Sequence, residues 1–285
     1  MRTGRFALPY VAGLTLLVAV PVAGAIALAF TNFSGVQDPE WIGFANFERL
    51  WDQPLFWKSF GNTAAFVAIA VPLRIAAAVA LALLLHRRTA GAGAARAVAY
   101  LPTVVPDVAY ALLWLWLLNP LYGPIAAAAS SLGVTAPGWL TEPWASRVAI
   151  AVMGAFQVGE AFVVALAARR TVPEPLYESA RVEGATAWFT LRNVTLPVMA
   201  PVLGLLALRD VVLALQVNFV PAFLVTEGGP GYATTFLPLY VYEAGFRYFR
   251  FGYAAAVSVV MFVLTAAILA LQYWIYRRWR ETRWS

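Results

Sequence analysis

Long apolar runs limit what this chain can fold into more than any other feature. Residues 6–30 hold no charge and follow Arg2 and Arg5. As a helix rising about 1.5 Å per residue, such a run crosses a hydrocarbon layer of about 30 Å. It exceeds the roughly 7–15 apolar residues of a secretory leader, so it is expected to persist as a first span. Runs at 62–85, 97–118, 147–168, 197–225 and 252–276 read the same way. None alternates polar and apolar residues as a barrel strand does, and an open sheet leaves backbone groups unpaired in lipid. The expectation is an all-α membrane protein with six transmembrane helices.

Composition narrows the chemistry. Hydrophobic residues make up 62% of the chain and charged residues 12%, which excludes an ordinary soluble domain. Cysteine is absent, so disulfides, thiol catalysis and thiolate metal sites are excluded, and His86 is the only histidine. The only lysine, Lys58 in Leu55-Phe56-Trp57-Lys58-Ser59, follows no glycine-rich phosphate loop, so the chain has no ATP site of its own. The net charge of +6 is therefore read for orientation and not for nucleic-acid binding.

With the N-terminus inside, the cytoplasmic side receives Arg2, Arg5, Arg87, Arg88, Arg96, Arg169, Arg170, Arg181, Arg192, Arg277, Arg278, Arg280 and Arg283. The outside keeps Arg49, Lys58, Arg147, Arg247 and Arg250. The positive-inside rule thus places both termini in the cytoplasm. Trp114 and Trp116, and at the other end Tyr273, Trp274, Tyr276 and Trp279, cluster where span boundaries are expected. Outside the spans, residues 32–60 suit an interfacial segment with a short amphipathic helix. Residues 120–146 and 226–235, rich in Gly, Pro, Ser and Thr, read as exposed connections. The whole chain, 1–285, reads as a single transmembrane domain.

Residues 172–196 are the longest segment expected on the cytoplasmic side. They read as two short helices joined at Gly184, with Glu174 and Glu178 near the positive start of the first. Gly184 would supply a turn that a Cβ resists, and Pro197 would begin the next span, where its missing N–H costs little. On these residues alone the segment is either an ordinary amphipathic loop or a surface for a soluble partner.

Glu178-Ser179-Ala180, Gly184 and Val194-Thr195-Leu196-Pro197 are spaced as E-A-A-x-x-x-G-x9-I-x-L-P. The segment resembles the EAA loop of ABC-type importer permeases, with Ser179 and Val194 as conservative departures and Glu183-Gly184-Ala185 replacing the usual D-G-A. Gly43-Phe44-Ala45-Asn46-Phe47, Leu118-Asn119-Pro120-Leu121-Tyr122-Gly123, Thr226-Glu227-Gly228-Gly229-Pro230 with Thr234, and Phe251-Gly252-Tyr253-Ala254-Ala255-Ala256 are similar to further motifs of the carbohydrate and glycerol-phosphate group. They resemble its maltose-permease-like subunit most.

The resemblance implies a type I ABC importer permease fold in the prokaryotic inner membrane. It implies a second permease subunit in a heterodimer, two copies of a cytoplasmic ATP-binding subunit that hold ATP and Mg, and an extracellular solute-binding protein. In such a subunit Glu178, Ser179, Ala180, Glu183, Gly184, Ala185, Leu196 and Pro197 form the ATPase-coupling segment. The family solute is a sugar or oligosaccharide. Glycerol phosphate or another small polar solute is the alternative, and an ATP-independent secondary transporter would explain the spans equally well. The basic tail at Arg277 to Arg283 suits contact with anionic membrane lipid.

Charges at membrane depth are costly and face the interior of a bundle. Arg74, Asp107, Glu160, Arg209 and Asp210 are the charged candidates, with Gln157, Gln216 and Asn218 beside them. Gln157 and Glu160, three apart, would share a helix face, as would Arg209 and Gln216. Gln157, Glu160, Asp210 and Asn218 stand at offsets from the coupling segment where maltose-type permeases contact sugar, although the residue types differ. Two readings stay open. Either the charges pair structurally, Arg74 with Asp107 or Arg209 with Glu160, or they line a polar solute site. In the second case the two arginines suit a phosphate, and the acids an amino sugar.

Overall fold

A computed structural model describes residues 4–87, 89–216 and 218–284. Arg2 and Arg88, and the side chains of Arg5, Tyr276, Trp279, Arg280 and Arg283, lie outside what is described. The chain begins with α1 (Gly4–Leu14), which runs through a π-helical turn at Thr15–Ala19 into α2 (Val20–Leu28). There follow α3 (Ala45–Asp52), α4 (Pro54–Leu85), α5 (Ala92–Val104), α6 (Asp107–Leu117) and α7 (Pro124–Ser131). Next come α8 (Pro143–Phe156), α9 (Gly159–Arg170), α10 (Glu174–Val182), α11 (Ala187–Thr190) and α12 (Leu196–Gln216). The last are α13 (Phe219–Pro221), α14 (Leu237–Tyr242) and α15 (Phe251–Trp284). Among the described residues the only β pairing is an isolated bridge between Thr31 and Trp41.

Four helical stretches are long and apolar enough to cross a membrane: Leu8–Leu28, Pro54–Leu85, Ala187–Thr226 and Phe251–Ile275. The number reaches six when two bent pairs are each taken as one span. These pairs divide two of the apolar runs expected as spans. The run at 97–118 is divided into α5 and α6, bent by 100°. Pro106 has no N–H to continue the helix and pushes the residue before it out of the helical region; Val105 is extended at φ −69°, ψ 128°. The run at 147–168 begins earlier, at Pro143, and breaks by 48° between α8 and α9. The run at 197–225 is α12 followed by α13 and a π-helical turn at Ala222–Thr226.

The single domain expected over 1–285 resolves into two compact units. The first comprises Met1–Phe60 and Leu237–Ala267. The amphipathic helix expected between 32 and 60 is α3, which buries Asn46 and Leu50. Asn46 Nδ2 donates to the carbonyls of Ala29 (2.9 Å) and Thr31 (2.8 Å), anchoring α3 to the end of the first span. Leu50, Phe56, Leu237, Tyr240 and Val257 form the core of this unit.

The second unit comprises Gly61–Phe236 and Ile268–Ser285. Its core is built from small side chains, Ala78 and Ala82 on α4 and Ala161, Ala165 and Ala168 on α9, around Phe162, Met199 and Leu206. Residues of this size let helix backbones approach closely in a setting where lipid supplies no hydrophobic drive. Residues 226–235, expected as an exposed connection, are instead partly internal, with Thr234 and Thr235 buried. Thr226 and Thr234 share a hydroxyl bond of 2.6 Å, and Thr235 Oγ1 donates to the Gly228 carbonyl at 3.0 Å. Asn62 Nδ2 donates to the carbonyls of Tyr232 and Thr235, and Arg147 Nε to that of Ala233. The small polar residues that suggested a loose loop serve to satisfy its folded-in backbone.

Candidate functional site

The segment 172–196 is two short helices about a glycine. Glu174 lies in the first turn of α10, where a negative charge meets the positive end of the helix dipole. The C-terminal end is a Schellman stop: Gly184 N donates to Arg181 O (3.1 Å) and Ala185 N to Ala180 O (2.9 Å). Gly184 has φ +72°, a left-handed conformation that side chains with a Cβ resist. A Cβ there would meet nothing within 4 Å, so the backbone angle and not space requires glycine. Thr186 then caps α11, accepting from Phe189 N at 3.2 Å.

Tyr177 fixes α10 to the chain that follows. Its hydroxyl pairs with buried Thr195 Oγ1 at 2.9 Å, and the Arg169 guanidinium lies 4.5 Å over its ring. Ala180 is buried and Ala185 half-buried, while Glu178, Ser179, Glu183 and Gly184 are exposed. Leu176, Val182, Trp188 and Phe189 are exposed apolar side chains on the same segment. Leu196 and Pro197 are half-buried. Pro197 does not open a separate helix as expected. It stands in a continuous helical path from α11 to α12, behind a π-helical turn at Leu191–Thr195 in which Leu196 N reaches back to Leu191 O.

The second constellation lies in the middle of the spans. Arg209 Nη2 pairs with Glu160 Oε2, as one of the two sequence readings had it. Arg74 does not pair with Asp107; its Nη1 stands 3.7 Å from Asp210 Oδ2, and Arg209 Nη1 is 3.7 Å from Asp210 Oδ1. Asp107 is instead exposed at the start of α6, where the break after Val105 leaves it. The four charges form a chain, Arg74–Asp210–Arg209–Glu160, with Asp210 only 1% exposed and the Glu160 and Arg209 side chains 50% and 48% exposed. Asn218 is buried, and neither its amide nor the Asp210 carboxylate finds a hydrogen bond among the described residues. Gln216 is exposed on α12, as is Arg209.

Gln157 does not share a helix face with Glu160. It stands in the α8–α9 break at φ −76°, ψ 51°, half-buried, with Glu160 in the first turn of α9. In an unbroken helix the carbonyls of Met153 and Gly154 would accept from the amides of residues 157 and 158. Here Met153 O accepts from the Tyr110 hydroxyl at 2.8 Å, and Gly154 O from Arg74 Nε (2.9 Å) and Nη2 (2.6 Å). Beyond the break, Gly159 N donates to Thr103 Oγ1 at 3.0 Å. A Cβ at residue 159 would fall 2.3 Å from that oxygen and 3.0 Å from the Tyr100 backbone. Tyr110, Thr103, Gly154 and Gly159 thus support the site, and the sequence reading passed over all four. For Tyr110 and Thr103 the one signal was a polar tip inside an apolar run, and for Gly154 and Gly159 it was the missing side chain.

Elsewhere, a cavity of about 750 Å³ between α4 and α12 is lined by Val67, Val71, Ile75, Leu203 and Val211 among others. It includes none of the charged residues, so its surface suits hydrocarbon and not a sugar.

Residues 70–281 match the family described as binding-protein-dependent transport system inner membrane component. The chain belongs to this family of ABC importer permeases. It is 29% identical to the lactose transport system permease protein LacF of Rhizobium radiobacter, over 95% of this chain and 93% of that one. It is equally identical to the trehalose/maltose transport system permease protein MalF of Thermococcus litoralis, over 90% and 87% of the two chains. A chain of a bacterial ABC transporter that imports the acidic polysaccharide alginate superposes with a TM-score of 0.84 at 25% identity, covering 96% of this permease and 94% of that chain. The permease is thus a multi-pass subunit of sugar-importer type, built on the ABC importer permease fold.

Proposed function

We propose that this permease forms, with a second permease subunit, the membrane pathway for a neutral or weakly charged sugar or oligosaccharide delivered by an external solute-binding protein. α10 and the Gly184 stop face the cytoplasm of a prokaryotic cell and dock on one of two ATP-binding subunits, which hold ATP and Mg. Glu178 and Ser179 face that partner, since both side chains are exposed. The observation that carries the pathway is the half-exposed Glu160–Arg209 pair joined to buried Asp210. Such a pair offers a hydroxyl group both an acceptor and a donor. The relatives named for lactose and for trehalose and maltose support a sugar.

A phosphate-bearing solute is less well served. Arg74 is engaged by Gly154 and Asp210, and Arg209 by Glu160 and Asp210, so the two arginines stand already compensated. The test is uptake by the reconstituted complex with its cognate binding protein. Glu160→Ala is expected to raise the apparent KM for the solute or alter its preference among sugars. Parental transport with unchanged affinity and preference would refute the contact.

A further inference from the structure

No proline lies between Pro143 and Pro173, so nothing covalent breaks the α8–α9 span. The break is held from outside. Tyr110 from α6, Thr103 from α5 and Arg74 from α4 supply hydrogen bonds to backbone groups on either side of it. Arg74 does more than the other two. Its Nε and Nη2 both reach the Gly154 carbonyl, a two-pronged contact that a planar guanidinium makes and a lysine ammonium does not. Its contact with Asp210 is longer, at 3.7 Å, and is an ion pair without a hydrogen bond. The short, directional bonds go to the helix break, and the weaker charge contact supplies compensation.

We infer that Arg74 is a positioning residue for the solute pathway. Compensated by Asp210, it holds the span broken at residues 157–158 and thereby keeps Gln157 out of helical register beside Glu160. Without the clamp, the carbonyl of Gly154 regains a helical partner by straightening the span, which turns Gln157 back into α8. The inference rests on the proposal that Glu160 meets the solute, and it adds Gln157 as a second group held next to it. A rival role, simple neutralisation of Asp210, needs only a positive charge at position 74.

Arg74→Lys separates the two, because it keeps the charge and loses the fork. The permease has no cysteine, so Val148→Cys and Val164→Cys, on exposed positions of α8 and α9, give one spin-label pair across the break. Pulsed dipolar distances are measured on the full complex in liposomes, together with uptake kinetics for the cognate sugar. The expected result for Arg74→Lys is a broader and longer distance distribution and a KM raised about tenfold, since misplacement by about 1 Å is enough for changes of that size. A parental distribution in Arg74→Lys overturns the clamp. A changed distribution with parental KM, in a complex where Glu160→Ala does raise KM, overturns the positioning role. If Glu160→Ala leaves KM untouched, the pathway reading fails by itself, and the distance measurement still decides whether Arg74 holds the break. Should Arg74→Lys not assemble, Arg74→Met combined with Asp210→Asn removes both charges. The same shift in distance is then expected, and a parental distribution again overturns the clamp.

Discussion

Asp210 and Glu160 are both acids within the spans, but their surroundings assign them different sensitivities. Asp210 is 1% exposed and depends on two guanidiniums for compensation. Removing it with Asp210→Ala leaves the largely buried Arg74 guanidinium without its ion-pair partner, a kind of loss that costs about 3–5 kcal/mol for a buried pair. The expected outcome is a fall in the melting temperature of the purified complex and less assembled permease in the membrane. Glu160 is half-exposed, so its pairing with Arg209 is screened and contributes less than about 1 kcal/mol. Glu160→Ala should therefore leave the melting temperature close to parental and act on transport instead. The presence of these charges was legible in the sequence, because an acid or an arginine in an apolar run stands out. Their partners were not: Arg74 was set against Asp107, but the 97–118 run breaks just before that residue and leaves it exposed at the start of α6, while Arg74 meets Asp210.

Among the elements, α10 was the most legible. Ala180, Gly184 and Ala185 are the residues of one helix stop, and their spacing is fixed by the 6→1 and 5→2 hydrogen bonds of that stop. A motif tied to backbone geometry survives in a single sequence as a recognisable interval. Gly184→Val would force a β-branched side chain to φ +72°, at a cost of roughly 1–2 kcal/mol or more. That loss is small against the whole chain, so insertion should persist while α10 is redirected. The measurable result is loss of sugar uptake with ATP hydrolysis no longer dependent on solute and binding protein; coupled uptake at the parental rate would remove Gly184 from the coupling role. The two bent spans contrast with each other. Pro106 announces its own break, whereas the 157–158 break depends on Tyr110, Thr103 and Arg74, all distant in the chain, and is marked locally by nothing stronger than Gly159.

At the scale of the whole molecule, the helical class and apolarity were legible because hydrocarbon thickness sets the length of a helix that crosses it. The division into two compact units was not, since it arises from packing among side chains remote in sequence. Orientation is the prediction that belongs here. In a chain without cysteine, a thiol placed by Val182→Cys should react with an impermeant maleimide only from the cytoplasmic face, and one placed by Val36→Cys only from the outside; both positions are highly exposed. The reversed pattern would invert the proposed topology. The continuous helical path through α11, the π-helical turn and α12 has a mechanical consequence. Thr190 and Arg209 lie about 28 Å apart along it at about 1.5 Å per residue. A rod of that length works as a lever, so a tilt of about 5° at its Thr190 end sweeps Arg209 through about 2.5 Å. That displacement is comparable to a hydrogen-bond length, and it falls on the residue that joins Glu160 to Asp210.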